Sequence, residues 1–458
     1  MTQPDPSNVP LPTLVESAPA PHRSLTVLEW AIVAVACLGF AFDTYEIVIL
    51  PLIARPAIST LGPFLPGTPA FNRWIGFLFF IPFLFGGLCG FFGGYLTDRV
   101  GRRRVLVWSI LIYAASTWAA AYATSLPLFL LFRSTTIIGV CVEYVAAVAW
   151  LAELFPEPRQ REAVLGYTQV ASALGSFMVA GAFYVAATYG HLFPAILGAH
   201  ETWRYALLFG TIPAIPLIIV RPFLPESPMW TARKARGTLK RARIGELFQP
   251  ALARTTLISG LIVACGYAIT FGGTQQIMVV VPDLPALAGR PGVEQEQAVS
   301  AVQFVLVIGN VIGRLLLAWL VVRIVQRRRL LLGFVAPGLL LPFMFIWLVP
   351  TGMLALSLTM FLASAIATAQ YSFWGNYLPR VYPTRVRGTG ESFAVNIGGR
   401  IFGPATAMLT TTLATTIIGA TSLQRVTRAA AIVVAITQIT AVLAIKWLPE
   451  PQSEELPE

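Results

Sequence analysis

The sequence predicts an all-α membrane protein, with twelve transmembrane helices in two pseudo-symmetric six-helix bundles. Three observations predict it. Of 458 residues, 56% are hydrophobic and only 12% charged, against roughly 25% charged in a soluble globular chain. The apolar residues fall in separate runs of about 20, the length that crosses a bilayer as a helix. The basic residues sit in short clusters between alternate runs. The formal charge of +11 therefore marks one membrane face and not a nucleic-acid surface. A large soluble enzyme with a greasy core would not produce so many separate runs, and the mean hydropathy of +0.72 agrees.

Residues 1–26 are polar and Pro-rich and read as a disordered cytoplasmic tail, since no apolar core precedes a small-residue cleavage site. The expected spans are 27–50, 74–96, 104–123, 126–152, 163–188 and 203–222 in a first bundle (27–222). A basic linker, 223–255, carries TARKARGTLKRAR. The second bundle (256–448) holds spans 256–281, 298–322, 329–349, 353–377, 389–417 and 425–448, and 449–458 is a second cytoplasmic tail. Cys37, Cys89, Cys141 and Cys265 all lie in apolar segments and read as small core residues. His22, His191 and His200 lie in the tail or outer loops without metal-ligand spacing.

Loop charge orients the chain. Arg99, Arg102–Arg104, Arg159, Arg161, the linker cluster, Arg323, Arg327–Arg329, Arg380, Arg385 and Arg387 share one side, while the other side holds scattered Arg55, Arg73 and Arg290. The basic side is expected to be cytoplasmic, with both termini there. The halves also repeat. GGYLTDRVGRRRV after the second span is echoed by AWLVVRIVQRRRL after the eighth. AELFPEPRQREAVLG is echoed by RVYPTRVRGTGES, and LPESPMW after the sixth by LPEP after the twelfth. Punctuation repeated six spans apart marks a duplicated transporter fold with its site near midplane between the halves. No nucleotide-binding loop of the G-x4-G-K-[ST] type is present, so nucleotide drive is not expected.

On these residues the chain resembles the major facilitator superfamily. Gly94, Asp98, Arg99, Gly101, Arg102 and Arg103 match that family's loop motif between the second and third spans, while Val322 and Gln326 interrupt the copy in the second half. Arg133, Glu143-Tyr144, Glu153 and Pro156 carry the spacing R-x9-E-[YW]-x8-E-x2-P. The Glu-Tyr pair resembles the organic-acid, phosphate and metabolite proton symporters and the synaptic-vesicle-protein-like group. Sugar-porter-like members usually have a small residue there. Asp43-Thr-Tyr-Glu46 is similar to the D-x-x-D/E element of aromatic-acid and sialate symporters. PESPMW and Tyr382-Pro-Thr-Arg385-Val-Arg387-Gly388 are shared more broadly, and the fifth span lacks the G-x3-G-P-x2-G-G element of antiporters. The resemblance implies alternating access by a monomer without a cofactor.

Ionisable residues at membrane depth are expensive and usually face a cavity or a partner. At about 1.5 Å per residue, Asp43 and Arg133 lie roughly 10–12 Å from the outer ends of their helices. They are expected to face each other, with Asp43 carrying the coupling proton and Arg133 holding it ionised or turning to an anionic substrate. A permanent structural ion pair is the bland alternative. Glu143, about 15 Å deeper, is a second proton carrier or a buried acid bonded to a neighbouring helix. Glu46 is expected to be more exposed than Asp43. Arg314 and Arg400 supply positive field for an anion or pair with acids for packing, and Gln275, Gln276 and Tyr267 are polar candidates for the substrate. Asp98, Arg99, Arg102 and Arg103 are expected to form a cytoplasmic gate, with Glu153 and Arg161 as a similar latch and Arg385 and Arg387 opposite. Gly86, Gly90 and Gly94 read as a helix-packing face.

These readings converge on a secondary active transporter, a proton symporter of a small organic anion or polar metabolite, in a bacterial inner membrane. A neutral sugar or polyol transporter is the alternative. A transporter-like sensor that binds without turnover is a third reading, and no catalytic constellation points to an enzyme.

Overall fold

The computed structural model describes residues 25–155, 157–236, 244–383 and 386–451. Residues 1–24, 237–243 and 452–458 therefore lie outside the described residues, as do Pro156 and Arg385. Among the described residues, eleven helices are long and apolar enough to cross a membrane. They are α1 (Val27–Val48), α2 (Pro69–Val100), α3 (Arg102–Ala121), α4 (Leu126–Leu154), α5 (Pro158–Tyr189), α6 (Thr202–Phe223), α7 (Pro250–Val279), α8 (Gly292–Arg323), α9 (Arg327–Thr351), α10 (Met353–Val381) and, last in the chain, α12 (Ser422–Ile445). The remaining expected span, α11, is helical over 387–416 but passes through a π-helical stretch, Phe393–Phe402. A second π-helical stretch, Ile269–Thr274, interrupts α7. Both contain adjacent glycines, and such bulges cluster at functional sites in helices.

Helices run past their apolar cores. The first span continues through a break at Ile49 into Leu50–Leu61, started by Pro51, so half of the expected outer loop is helix. Likewise α2 starts at Pro69, α7 at Pro250 and α8 at Gly292, earlier than hydropathy alone predicts. A helix keeps its hydrogen bonds into the headgroup layer, where hydropathy no longer marks it.

Small residues set the close crossings. A β-carbon on Gly175 of α5 would meet the Ala41 carbonyl at 2.0 Å, and one on Gly309 or Gly313 of α8 would strike α10 backbone at 2.3 and 2.2 Å. Gly86 and Gly90 lie against Cys141 on α4, and Gly90 also meets Asn396 on α11. Gly94 has more room, its nearest contact being Val145 at 3.9 Å.

The sequence repeat acquires a physical meaning at the basic end. The Glu226 carboxylate accepts hydrogen bonds from the backbone N–H groups of Arg102 (3.0 Å) and Arg103 (3.2 Å), at the start of α3. Six spans later Glu450 accepts from the N–H groups of Arg327 (3.1 Å) and Arg328 (2.8 Å), at the start of α9. Each half thus closes its last helix on its third by a carboxylate that caps a helix N-terminus. Gly101, beside the first cap, has φ +109°, and a side chain there would meet Glu226 Oε2 at 2.6 Å.

The apolar core is continuous between the halves at the end opposite the basic loops, where Ile53, Phe79 and Phe129 share one cluster with Met278, Leu284 and Leu423. Towards the basic end the buried residues form two separate clusters. One lies in the first half around Val105, Trp150 and Phe155, the other in the second around Leu330, Tyr377 and Tyr382. The seam between the halves is closed at the end opposite the basic loops.

Candidate functional site

The expected Asp43–Arg133 pair is not formed. Arg133 Nη1 lies 2.7 Å from Glu46 Oε2, and Nη2 donates to the Glu46 carbonyl at 2.6 Å. Both side chains are buried, so Glu46 is not the more exposed acid. The cause is the lean of helical side chains towards the helix N-terminus. In α4 that is the end away from the basic loops, so the guanidinium reaches one turn in that direction and meets Glu46 instead of Asp43.

Asp43 is left without that partner. It is buried, and neither carboxylate oxygen accepts a hydrogen bond from any described residue. The charged groups acting on it are Glu143, Arg221 and Arg400, with the Tyr113 hydroxyl beside it. Glu143 is not a lone acid either: Arg221 Nη2 lies 2.5 Å from its Oε1, with both side chains buried. Arg221 comes from the end of α6, where a long basic side chain is expected to snorkel outward. Here it turns inward over Gly39, where a β-carbon would sit 2.2 Å from its Nη2. Gly39 and Asp43 are four residues apart on α1, one turn on one face. Sequence reasoning did not single out Arg221; the Gly39–Asp43 spacing is the signal that could have found its docking face.

Across the seam the second half contributes cations and rings. Arg400, in the π-helical stretch of α11, is buried, donates to Asn396 Oδ1 at 3.0 Å, and lies 4.8 Å over the Tyr144 ring of α4. Pro404 lacks the N–H that an α-helix would aim at the Arg400 carbonyl. Tyr267 packs 4.3 Å from Tyr371 and stacks on Phe271 at 6.1 Å, and Phe271 meets Phe83 of α2 at 5.0 Å. Arg314 of α8 is close enough to Tyr144 and Tyr267 to act on both electrostatically. Two arginines and an aromatic wall therefore converge where α4 faces α7, α8 and α11. The two glutamines part company. Gln276 donates to the Phe271 carbonyl at 2.9 Å and ties down its own helix, whereas the buried Gln275 side-chain carbonyl accepts no hydrogen bond from a described residue.

At the basic end, Arg102 makes a two-pronged pair with Glu153, at 3.0 and 2.9 Å, and donates to the Thr97 carbonyl at 3.1 Å. Glu153 thus pairs with Arg102 and not with Arg161, which sits a turn into α5, while the start of α3 abuts the end of α4. This pair braces α3 to α4 within one half. Arg103 donates to the Leu224 carbonyl at 3.3 Å and Arg387 to Tyr382 at 3.4 Å. Arg99 is exposed. The Asp98 side chain and Arg385 lie outside the description.

Bonds that cross between the halves are found at the other end. Arg55 donates to Asp283 at 2.7 Å and to the Val279 carbonyl at 3.2 Å. Arg425 reaches the Gly67 carbonyl at 3.1 Å, and Glu296 accepts from Thr202 at 2.6 Å. Sequence reasoning passed over Arg55 as a loop residue, because Leu50–Leu61 was not read as helix.

The Major Facilitator Superfamily model matches residues 32–405. The chain belongs to the major facilitator superfamily. A sialic acid transporter of Escherichia coli is 25% identical over 366 residues, covering 79% of this chain and 82% of the relative. A 3-(3-hydroxy-phenyl)propionate transporter of the same organism is 28% identical over 332 residues, covering 71% and 75%. The crystal structure of a D-xylose–proton symporter superposes with a TM-score of 0.71 at 18% identity, over 93% of this chain and 99% of that one. This major facilitator protein is accordingly a multi-pass membrane transporter of small metabolites and not an enzyme, and its halves meet at the end opposite the basic loops.

Proposed function

We propose that the protein is a proton-coupled symporter of a small organic anion, bound at midplane by Arg400 and Arg314 against Tyr144, Tyr267 and the Gln275 amide. The carrying observation is Asp43, a buried carboxylate without a hydrogen bond in the field of Arg400. An ionised Asp43 relies on nearby cations. An anion seated on Arg400 withdraws part of that support, so substrate binding favours protonated Asp43, and by reciprocity protonation favours the anion. Proton and anion then travel together, which is symport. Glu46, closed on Arg133, is structural in this reading, and Glu143 serves the proton.

The relatives named for sialic acid and for a phenylpropionate support the substrate class. The loop charge supports a basic end facing the cytoplasm, and the reading is completed by import, as a monomer, across a bacterial inner membrane. The test is labelled uptake into proteoliposomes under an imposed pH gradient, with benzoate, succinate, sialic acid, gluconate, phosphate and xylose. Gradient-driven accumulation of one or more carboxylates supports the reading. Gradient-independent uptake of xylose alone assigns the neutral-sugar alternative.

A further inference from the structure

Asp43 and Glu143 lie inside the first half, and Arg221 connects them to something the substrate route does not use. A crevice of about 10 Å³, roughly the room of one water, is lined by Val35 and Ala36 of α1, Arg103 and Leu106 of α3, Ala147 and Trp150 of α4, and Arg221 and Leu224 of α6. All these helices belong to the first half. Arg103 and Leu224 place one end of the crevice at the basic loops, and Arg221 places the other at Glu143. Gly39, over which the guanidinium lies, is one turn from Val35 in one direction and one turn from Asp43 in the other.

We propose that the proton leaves Asp43 by way of Glu143 and this crevice, within the first six-helix bundle, while the anion leaves through the seam between the halves. The proposal rests on the proton-coupled reading above. The groups that face the relay are Asp43 on α1, Tyr113 on α3, Glu143 on α4, Arg221 on α6 and Arg400 on α11. The Tyr113 hydroxyl lies beside both carboxylates. The starting state is protonated Asp43 with Glu143 ionised on Arg221. In the transfer the O–H bond at Asp43 breaks and an O–H bond forms at Glu143. The guanidinium, no longer held by Glu143, crosses Gly39 to the new Asp43 carboxylate. The charge of the cluster does not change, so no isolated ion is created at membrane depth. Departure of Arg221 also removes the cation from the inner end of the crevice. Glu143 then passes its proton to a water there, which carries it to the basic end, and Arg221 returns.

The test separates the proton route from the anion route. Ala36→Leu and Ala147→Leu fill the crevice from two helices and replace none of the groups of the relay. Each is placed in proteoliposomes with the best-transported acid of the panel. Counterflow of labelled acid reads substrate exchange and correct folding, and accumulation driven by the pH gradient reads coupling. The expected result is counterflow near that of the parent protein with accumulation at least about tenfold lower. Accumulation that falls no further than counterflow in both variants, including parallel loss of both, overturns the separate route. If the parent protein itself shows no gradient-driven accumulation, it is the proton-coupled reading that fails.

Discussion

The guanidinium of Arg221 lies 2.5 Å from the Glu143 carboxylate, across the bare face of Gly39. This contact joins the end of α6 to the middle of α4 through a gap that only glycine leaves open on α1. It places a second ion pair one turn from Asp43, and the two buried pairs of the first half therefore differ. Glu46–Arg133 is closed by two hydrogen bonds, while Glu143–Arg221 stands next to an acid with none.

Gly39→Ala puts a methyl group 2.2 Å from Arg221 Nη2, so the guanidinium must leave Glu143. Overpacking of this kind costs about 1–3 kcal/mol. The expected outcome is a lower Tm in detergent together with loss of gradient-driven accumulation beyond any loss of counterflow. An unchanged Tm with unchanged accumulation contradicts the assigned contact.

Arg133→Ala strands Glu46 as a buried, uncompensated acid, at a cost of about 3–5 kcal/mol. Adding Glu46→Gln removes the stranded charge and should recover most of the lost Tm. If the double variant is no more stable than Arg133→Ala alone, the pair does not carry the stability assigned to it.

The two carboxylate caps make a paired prediction. Glu226→Ala and Glu450→Ala should each destabilise by about 1 kcal/mol. Glu226→Gln, which keeps an acceptor oxygen, should lose less. Thermal unfolding of the three variants measures this, and a Gln variant as unstable as the Ala variant argues against capping.

Arg55 and Asp283 clamp the end opposite the basic loops across the halves, each side chain 19% exposed. A partly exposed pair contributes about 1 kcal/mol or less, enough to shift an open–closed equilibrium up to about fivefold. Asp283→Asn should therefore speed reaction of a membrane-impermeant thiol reagent with a cysteine introduced at Ser300, which is buried towards the closed end. A rate equal to that of the Ser300→Cys protein alone contradicts a clamp.

Spans, loop polarity and the repeat are legible in the sequence because each depends on local composition. The four-residue likeness of LPES and LPEP is visible as text, but that Glu226 and Glu450 end on the third helix of each half requires the fold. The Asp43–Arg133 pairing failed because depth along a helix axis was counted without the lean of the side chain, which carried Arg133 to Glu46. Arg221 was missed because an arginine at a helix edge is expected to reach for water, and only the bare surface of Gly39 allows the opposite. Arg400 and Tyr144 were singled out separately, from charge and from motif. Their stacking across the seam depends on how two helices 256 residues apart in sequence face each other.

The central claim is that Asp43 carries the coupling proton, and its most direct measurement is anion-triggered proton movement in proteoliposomes loaded with a trapped pH dye. Addition of the transported acid should acidify the lumen, and the signal should vanish in Asp43→Asn while counterflow of the acid persists. Because protonated Asp43 favours the anion, uptake by the parent protein should weaken as external pH rises, and Asp43→Asn counterflow should lose that dependence. Lumenal acidification that survives intact in Asp43→Asn would contradict the account and leave Asp43 without a role in coupling.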